Sequence, residues 1–329
     1  MLVPRTFRFD KYQFHTRKKL ESVPRPDASR AVGKTAAVPE KKERQGKVSE
    51  EQLRQDTYGE FAEFPEEWTQ QYFRRRTLWS PRDERELRHG PAKILLFWEG
   101  DSLTEGEVGP CLELAEHYHS QLTLLEILPL AEAASLEVRK QQLGPLTRGF
   151  PISEIQVRSH PNPLEVLLET ISQESYAMVA LGMKNPDLVA KVVKESPVPV
   201  LVLAPESKHA IQKVLVPVEG TRFSYPAISQ AMILSEDFAA ELLLFQVGKE
   251  TSGEFPKIME KMSWKNIKHD FFEGAGEVSG AIAQFAREQE VDLIVMGTHG
   301  VLPGSTGLPP SVTLEVMEKA QLPLYVVHP

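Results

Sequence analysis

The chain has 329 residues, 41% apolar and 26% charged, a composition of a globular protein of about two domains and not of a disordered or fibrous one. Its net charge of −8 excludes a body built to coat nucleic acid, and its single cysteine, Cys111, excludes an intrachain disulfide framework and a four-cysteine zinc site. The apolar runs are strand-sized, well below the roughly 18 residues of a membrane helix, and no N-terminal stretch reads as a secretory signal, so the expected compartment is the cytoplasm.

The charge divides the chain. Residues 1–49 hold 13 basic against 5 acidic groups, and residues 91–329 hold 18 against 31. A basic arm is joined to an acidic body. In the arm, Arg5, Phe7, Arg8, Phe9, Tyr12 and Phe14 interleave cations with rings. That pattern suits a groove on an acidic protein, an anionic lipid surface or RNA stacking. Residues 1–48 are therefore expected to be an extended docking arm for an acidic protein surface or a large assembly, with lipid and RNA as lesser readings. Such an assembly includes a complex at the cytoplasmic face of a membrane. The plainer alternative is an arm that folds back on its own body or stays disordered.

Residues 49–90 predict short helices and linker. Ser49 with Gln52 resembles a capping box, and Pro65-Glu66-Glu67 opens a helix that closes on Arg74-Arg75-Arg76, charges that suit its dipole. Trp68, Tyr72, Phe73, Leu78 and Trp79 are too few to make a core of their own, so they dock on the body or on a partner.

The body contains one unit twice. Lys93-Ile94-Leu95-Leu96-Phe97-Trp98-Glu99-Gly100 aligns with Lys213-Val214-Leu215-Val216-Pro217-Val218-Glu219-Gly220, and residues 121–126 align with 241–246, both 120 positions apart. Residues 178–182 then align with 293–297, and 197–202 with 322–327. A period this long marks two copies of a whole domain, 91–206 and 207–329. Within each copy, near-continuous apolar runs alternate with helical patterns, such as Leu164, Leu167, Leu168 and Ile171, or Ile282, Phe285 and Ala286. Alternating strands and helices predict an open parallel α/β sheet with right-handed crossovers. Ligands of such sheets bind beyond the carboxyl ends of the strands.

The richest loop leaves the strand ending at Gly297. It runs Gly297-Thr298-His299-Gly300 through Gly304, Ser305, Thr306 and Gly307 to Pro310 and Ser311, and leads into a helix expected over 311–320. Glycines let backbone N–H groups approach a phosphate, and the helix N-terminus adds partial positive charge. Ser305, Thr306, Ser311 and Thr313 are candidate hydroxyl donors, and His299 could touch a phosphate or a base.

These residues resemble the universal stress protein family. The resemblance rests on 291–300, on the opening 214–220 and on the closing 322–327, and covers roughly residues 91–329. It implies a five-stranded parallel sheet in each copy, Rossmann-like, with the copies paired through their last strands as a pseudo-dimer. Some members bind ATP through Gly-x-x-Gly, nine residues, then Gly followed by Ser or Thr. Gly297, Gly300 and Ser311 match, but Pro310 stands where the last glycine belongs and has no N–H to donate. The family's aspartate near the adenosine is Glu219 here. The resemblance thus implies Glu219, Gly297, Gly300 and Ser311 as nucleotide contacts and ATP as the ligand, and His299 joins them by its place in the loop.

The first copy departs further. After Gly182 it reads Met183-Lys184-Asn185-Pro186-Asp187 and goes straight into a helix ending near Glu195, too short for a phosphate cradle. Lys184 is expected to be a solvated loop lysine. His117 and His119, two apart on a helix, face different ways and make poor metal ligands, and Cys111 is expected to pack. No catalytic residues and no metal site are recognised. The expected function is a non-enzymatic, nucleotide-responsive accessory subunit held to an assembly by its arm. The alternatives are a weak ATP-hydrolysing enzyme of the same fold and a ligand-free scaffold.

Overall fold

The computed structural model describes residues 92–100, 103–205, 207, 210–218, 224–247, 269–297 and 312–328, without the side chains of Ala133, His269 and Phe271. The first copy runs β1 (Lys93–Phe97), α1 (Glu105–His117), β2 (Gln121–Leu128), α2 (Leu136–Leu146), β3 (Ile152–Ser159), α3 (Pro163–Gln173), β4 (Tyr176–Gly182), α4 (Pro186–Glu195) and β5 (Val200–Leu203). The second runs β6 (Lys213–Val218), α5 (Tyr225–Phe238), β7 (Glu241–Val247), β8 (His269–Gly274), α6 (Val278–Glu288), β9 (Leu293–Gly297), α7 (Val312–Ala320) and β10 (Leu324–Val327).

All ten described strands form one open sheet, in the order β3-β2-β1-β4-β5-β10-β9-β6-β7-β8. Each half has the same internal order, read outward from the middle. Every pairing is parallel except one: β5 meets β10 antiparallel, with Leu201 opposite Tyr325. A single antiparallel step between two equivalent last strands is what a two-fold pseudo-dimer requires. The fold is thus two consecutive open, mostly parallel α/β halves fused through their last strands.

The strands are apolar on both faces because helices cover both. Right-handed crossovers place α1, α2 and α5 on one face and α3, α4, α6 and α7 on the other. One core cluster agrees with this: it joins Leu95, Val179, Leu215 and Ile294 of the sheet to Val192 of α4, Phe285 of α6 and Val316 of α7. Phe245 and Phe285 stack within it at 4.4 Å between ring centroids.

Local sequence fixes the helix ends. Thr104 and Glu107 form a reciprocal capping box at the start of α1. Pro110, inside α1, removes the N–H that would bond Gly106 O, and that carbonyl instead accepts the N–H of Ser207 at 2.8 Å, from the segment joining the halves. Just past α1 and α5, His119 and Ala239 both adopt left-handed backbone, φ 49° and 51°, so the 120-residue period extends to an uncommon conformation. His119 thus lies beyond the helix expected to carry it. The C-terminal ends of α1 and α5 meet across the dyad, where Tyr118 Oη donates to Asp237 Oδ2 at 2.7 Å and His117 lies 4.3 Å from Phe238.

Candidate functional site

In a sheet of this order the strand direction of travel reverses between the first and fourth strand of each half, and the crevice beyond their carboxyl ends is the natural ligand site. The two halves build that crevice differently.

In the first half the β1–β4 ladder is paired to its end, through Phe97 opposite Leu181. The crevice beyond it is filled by the chain itself. Lys184 Nζ sits over the Trp98 ring, 4.7 Å from its centroid. A Cβ at Gly100 would meet the Lys184 ammonium and crowd Trp98 Nε1, so a larger residue there would push the flexible lysine off the ring. Glu99 faces the same place; partial burial pushes its carboxyl above the usual range, and nearby Lys184 offsets this only in part. Lys184 is exposed, as expected of a loop lysine, and its ammonium also rests on the Trp98 ring. Arg139 of α2 grips both carboxylate oxygens of buried Glu126 on β2, at 2.7 and 2.8 Å, and donates to Gly100 O at 2.8 Å. That clamp fixes the loop after β1 against the sheet. Asn185 caps α4 through Leu188 N at 3.1 Å, so the helix start also holds its own acceptor.

In the second half the ladder stops early. Among the described residues, β6 and β9 pair only at Val214–Leu293 and Leu215–Ile294, although both strands run further. The cause is in the sequence. Lys213 N–H donates to Asp292 Oδ2 at 2.9 Å, on the β9 side, so alternate residues Leu215 and Pro217 also turn their amide positions to β9. Pro217 has no hydrogen there, and the next rung cannot form. At the matching position of the first half, Phe97 keeps its N–H toward β4, since its neighbour Trp98 N–H bonds Leu125 O of β2 at 2.9 Å. The second half therefore lacks the last hydrogen-bonded rung where the carboxyl-end crevice begins.

Gly297 ends β9 beside this opening, and Thr313 Oγ1 donates to its carbonyl at 3.2 Å. The Thr313 hydroxyl proton is thereby committed to main chain, which corrects its reading as a free donor. Asp292 accepts from Gln212 N–H as well as Lys213 N–H, and so stitches the start of β6 to β9. Glu219, His299, Gly300, Pro310 and Ser311 lie outside the described residues, as do Arg5, Phe7, Arg8, Phe9, Tyr12 and Phe14 of the arm.

A serine–lysine contact on the second half has the makings of a nucleophile and base, but its surroundings argue for a structural tie. Lys319 Nζ donates to Ser279 Oγ at 2.7 Å and to Glu277 Oε2 at 2.8 Å, and Ser279 Oγ also bonds Glu277 and Glu315. The two carboxylates raise the Lys319 pKa, so the amine holds its proton and cannot act as a base. Glu277 caps α6 through Ser279 N–H and Gly280 N–H.

An open cavity of about 350 Å³ lies between the first crevice and α7, lined by Trp98, Glu107, Lys184, Leu203, Met317 and Glu318. Sequence reasoning missed it because its walls come from four distant segments. Its apolar walls and acidic rim do not suit a phosphate. Cys111 is fully buried and burial pushes its thiol up to about 12, so it packs, as expected. Among the described residues no group of His, Cys, Asp and Glu could hold a metal, and no helix is long and apolar enough to cross a membrane.

Residues 257–328 match the model of the Universal stress protein family. The second half carries a universal stress protein domain. Among solved structures, a universal stress protein from Archaeoglobus fulgidus DSM 4304 aligns at 16% identity over 72% of this chain and 96% of its own, with a TM-score of 0.55. A protein of unknown function from Pseudomonas aeruginosa PAO1 aligns at 17% identity over 74% of this chain and 95% of its own, also at 0.55. Both likenesses span the two halves and show the tandem fold. A shorter universal stress protein, solved in complex with cAMP, aligns at 18% identity over 36% of this chain and 98% of its own, with a TM-score of 0.32. No curated protein matches the chain by sequence.

Proposed function

We propose that this universal stress-type chain is a non-enzymatic accessory subunit in which the second half binds one adenine nucleotide and the first half serves as its fixed pseudo-dimer partner. The observation that carries the reading is the early end of the β6–β9 ladder at Leu215–Ile294, against a β1–β4 ladder paired through Phe97–Leu181 and capped by Trp98 and Lys184. Without that last rung, the strand ends at the switch point are free to take a base and ribose between them. The glycine-rich stretch 297–311, leading into α7, then supplies N–H groups for the phosphates. Glu219, Gly297, His299, Gly300 and Ser311 are the proposed contacts. The basic arm, residues 1–48, attaches the protein to an acidic surface of a larger assembly.

The test is calorimetric titration of the full chain with ATP, ADP, AMP and cAMP. One saturable site per chain, lost in Gly300→Val, supports the reading. A flat titration to millimolar nucleotide overturns it and leaves the ligand-free scaffold. Release of ADP in the same samples, abolished by Gly300→Val, would overturn the non-enzymatic part in favour of a weak ATPase. Capture by the arm as bait, repeated at rising salt, tests the docking role, because contacts between opposite charges weaken as salt screens them.

A further inference from the structure

The open cavity of about 350 Å³ beside Trp98 has two kinds of wall. One is apolar, made by Met183 after β4, by Leu203 and Ala204 at the end of β5, and by Met317 of α7. The two methionines come from opposite halves, so neither half makes the cavity alone. Their unbranched, polarisable side chains adapt to ligands of varied outline. The other wall is charged. Glu107 of α1 and Glu318 of α7 stand against one cation, Lys184, among the described lining residues. Glu99 adds a third carboxylate from a smaller recess that shares Trp98 and Lys184 with the cavity. The local balance is negative, which disfavours anions, and the apolar wall favours a ligand with an apolar body.

The ring already holds a cation. Lys184 Nζ lies 4.7 Å from the centroid of Trp98, whose side chain is otherwise buried. The face of an indole attracts cations through its quadrupole, and substituted ammonium ions are the ligands that aromatic sites of this kind take. Lys184 is exposed and its stem is long, so its ammonium can swing into water at small cost. It is a tethered stand-in that a free organic cation can displace. Glu107 is fixed beside this place, because the N–H and Oγ1 of Thr104 both donate to its Oε2, at 3.2 and 2.8 Å. The carboxylate keeps its charge while it caps α1.

The equivalent place across the dyad has none of these features. At the 120-residue period Trp98 corresponds to Val218 and Glu107 to Ala227. The alignment of 197–202 with 322–327 sets Glu318 against Val193. Val218, Ala227 and Val193 are all buried. The repeated fold is thus satisfied by small apolar residues at these positions and does not itself call for a ring and two carboxylates. One half of the duplication carries them, so one site per chain is expected.

We infer that this cavity binds a small organic cation with an apolar body, a substituted ammonium, on the Trp98 ring in place of the Lys184 ammonium, with Glu107 and Glu318 as counter-charges. The site is separate from the proposed nucleotide site and does not rest on it. The test follows the Trp98 indole N–H resonance of the isotope-labelled full chain, assigned by its loss in Trp98→Phe, during titration with benzyltrimethylammonium. Benzyl alcohol and phenylacetate are the neutral and anionic controls. The expected result is a saturable shift with the cation and at least about tenfold weaker binding of either control. Lys184→Met should tighten the cation about fivefold by removing its competitor from the ring, and Glu318→Gln should weaken it about threefold. Both residues are exposed, so neither change threatens the fold. A flat titration, controls that bind as well as the cation, or an affinity unchanged by Lys184→Met overturns the inference.

Discussion

The two halves share a strand order, a period and even a left-handed residue after their first helices, yet their switch points have opposite fates. The first is paired to its end, clamped by Arg139 and lined by Trp98 and Lys184; the second loses its last rung to one proline. The lesson is that a duplicated fold is kept by its apolar strands, while its site is decided by a handful of residues at the strand ends. Pro217 against Phe97, and the long loop after Gly297 against the short one after Gly182, make most of the difference.

The largest way to break the comparison is Arg139→Met. It leaves the Glu126 carboxylate, 5% exposed, without its cation and frees Gly100 O. Removing one partner of a buried pair costs about 3–5 kcal/mol, and this loss should appear as a lower urea midpoint with an unchanged slope. Arg139→Lys should recover only part of it, because an ammonium cannot grip both carboxylate oxygens side by side.

Next comes Phe97→Pro, which imposes the second half's broken rung on the first. Losing a ladder bond together with a core ring that is 2% exposed should destabilise by about 3–5 kcal/mol and speed hydrogen exchange at β4, beyond Val179. Its converse, Pro217→Val, restores the missing donor. One new ladder bond should stabilise by about 0.5–1.5 kcal/mol in thermal unfolding, and on the proposed function the same variant should weaken ATP binding by narrowing the crevice. Stabilisation with unaltered binding would place the nucleotide elsewhere.

Lys184→Met removes the cation from the Trp98 ring. Lys184 is exposed to solvent, so a loss of about 0.5–1 kcal/mol is expected. Lys184 also holds the Glu99 pKa down against burial, so the variant should raise it further. A carboxyl with a raised folded-state pKa supports stability below its unfolded pKa and loses that support as pH rises through the folded value. The variant should therefore lose more stability than the wild type as pH rises above the usual carboxylate range, which pH-resolved denaturation can measure.

Most of the architecture is legible in the residues. The 120-residue repeat and the apolar runs are enough to place two parallel halves, because buried strands and period-3.6 helices leave local marks; their joining at the last strands is implied only by the family resemblance. The filled first crevice is not legible. Trp98 and Lys184 are far apart in sequence, as are Gly100 and Arg139, and only the sheet order brings them together. Pro217 is visible as a residue, but its effect depends on which neighbour its missing N–H faces, which Lys213 and Asp292 reveal only once folded. The glycine pattern after Gly297 names a ligand class by resemblance; Thr313 shows why a hydroxyl in the right place need not be free.

The smallest expected effect sharpens the contrast at the helix N-termini. In the first half, Asn162 precedes α3 without a side-chain cap bond. In the second, Glu277 caps α6 and binds Lys319 of α7, and the Lys319 ammonium, then the Ser279 hydroxyl, hold its carboxyl down to about 2. A depressed carboxylate contributes stability above its unfolded pKa, near 4.5, and loses it as pH falls toward the folded value. The α6–α7 tie should therefore weaken between pH 4.5 and 2 while α3 and α4 stay indifferent. Glu277 and Lys319 are well exposed, so salt and solvent screen the pair and the change is small. Hydrogen exchange over 278–288 and 163–173 through that pH range, corrected for intrinsic rates, follows α6 and α3 in one sample. Glu277→Gln should remove the extra acid sensitivity of 278–288. If the two segments loosen together in wild type, the acid response belongs to the whole sheet and not to this cap.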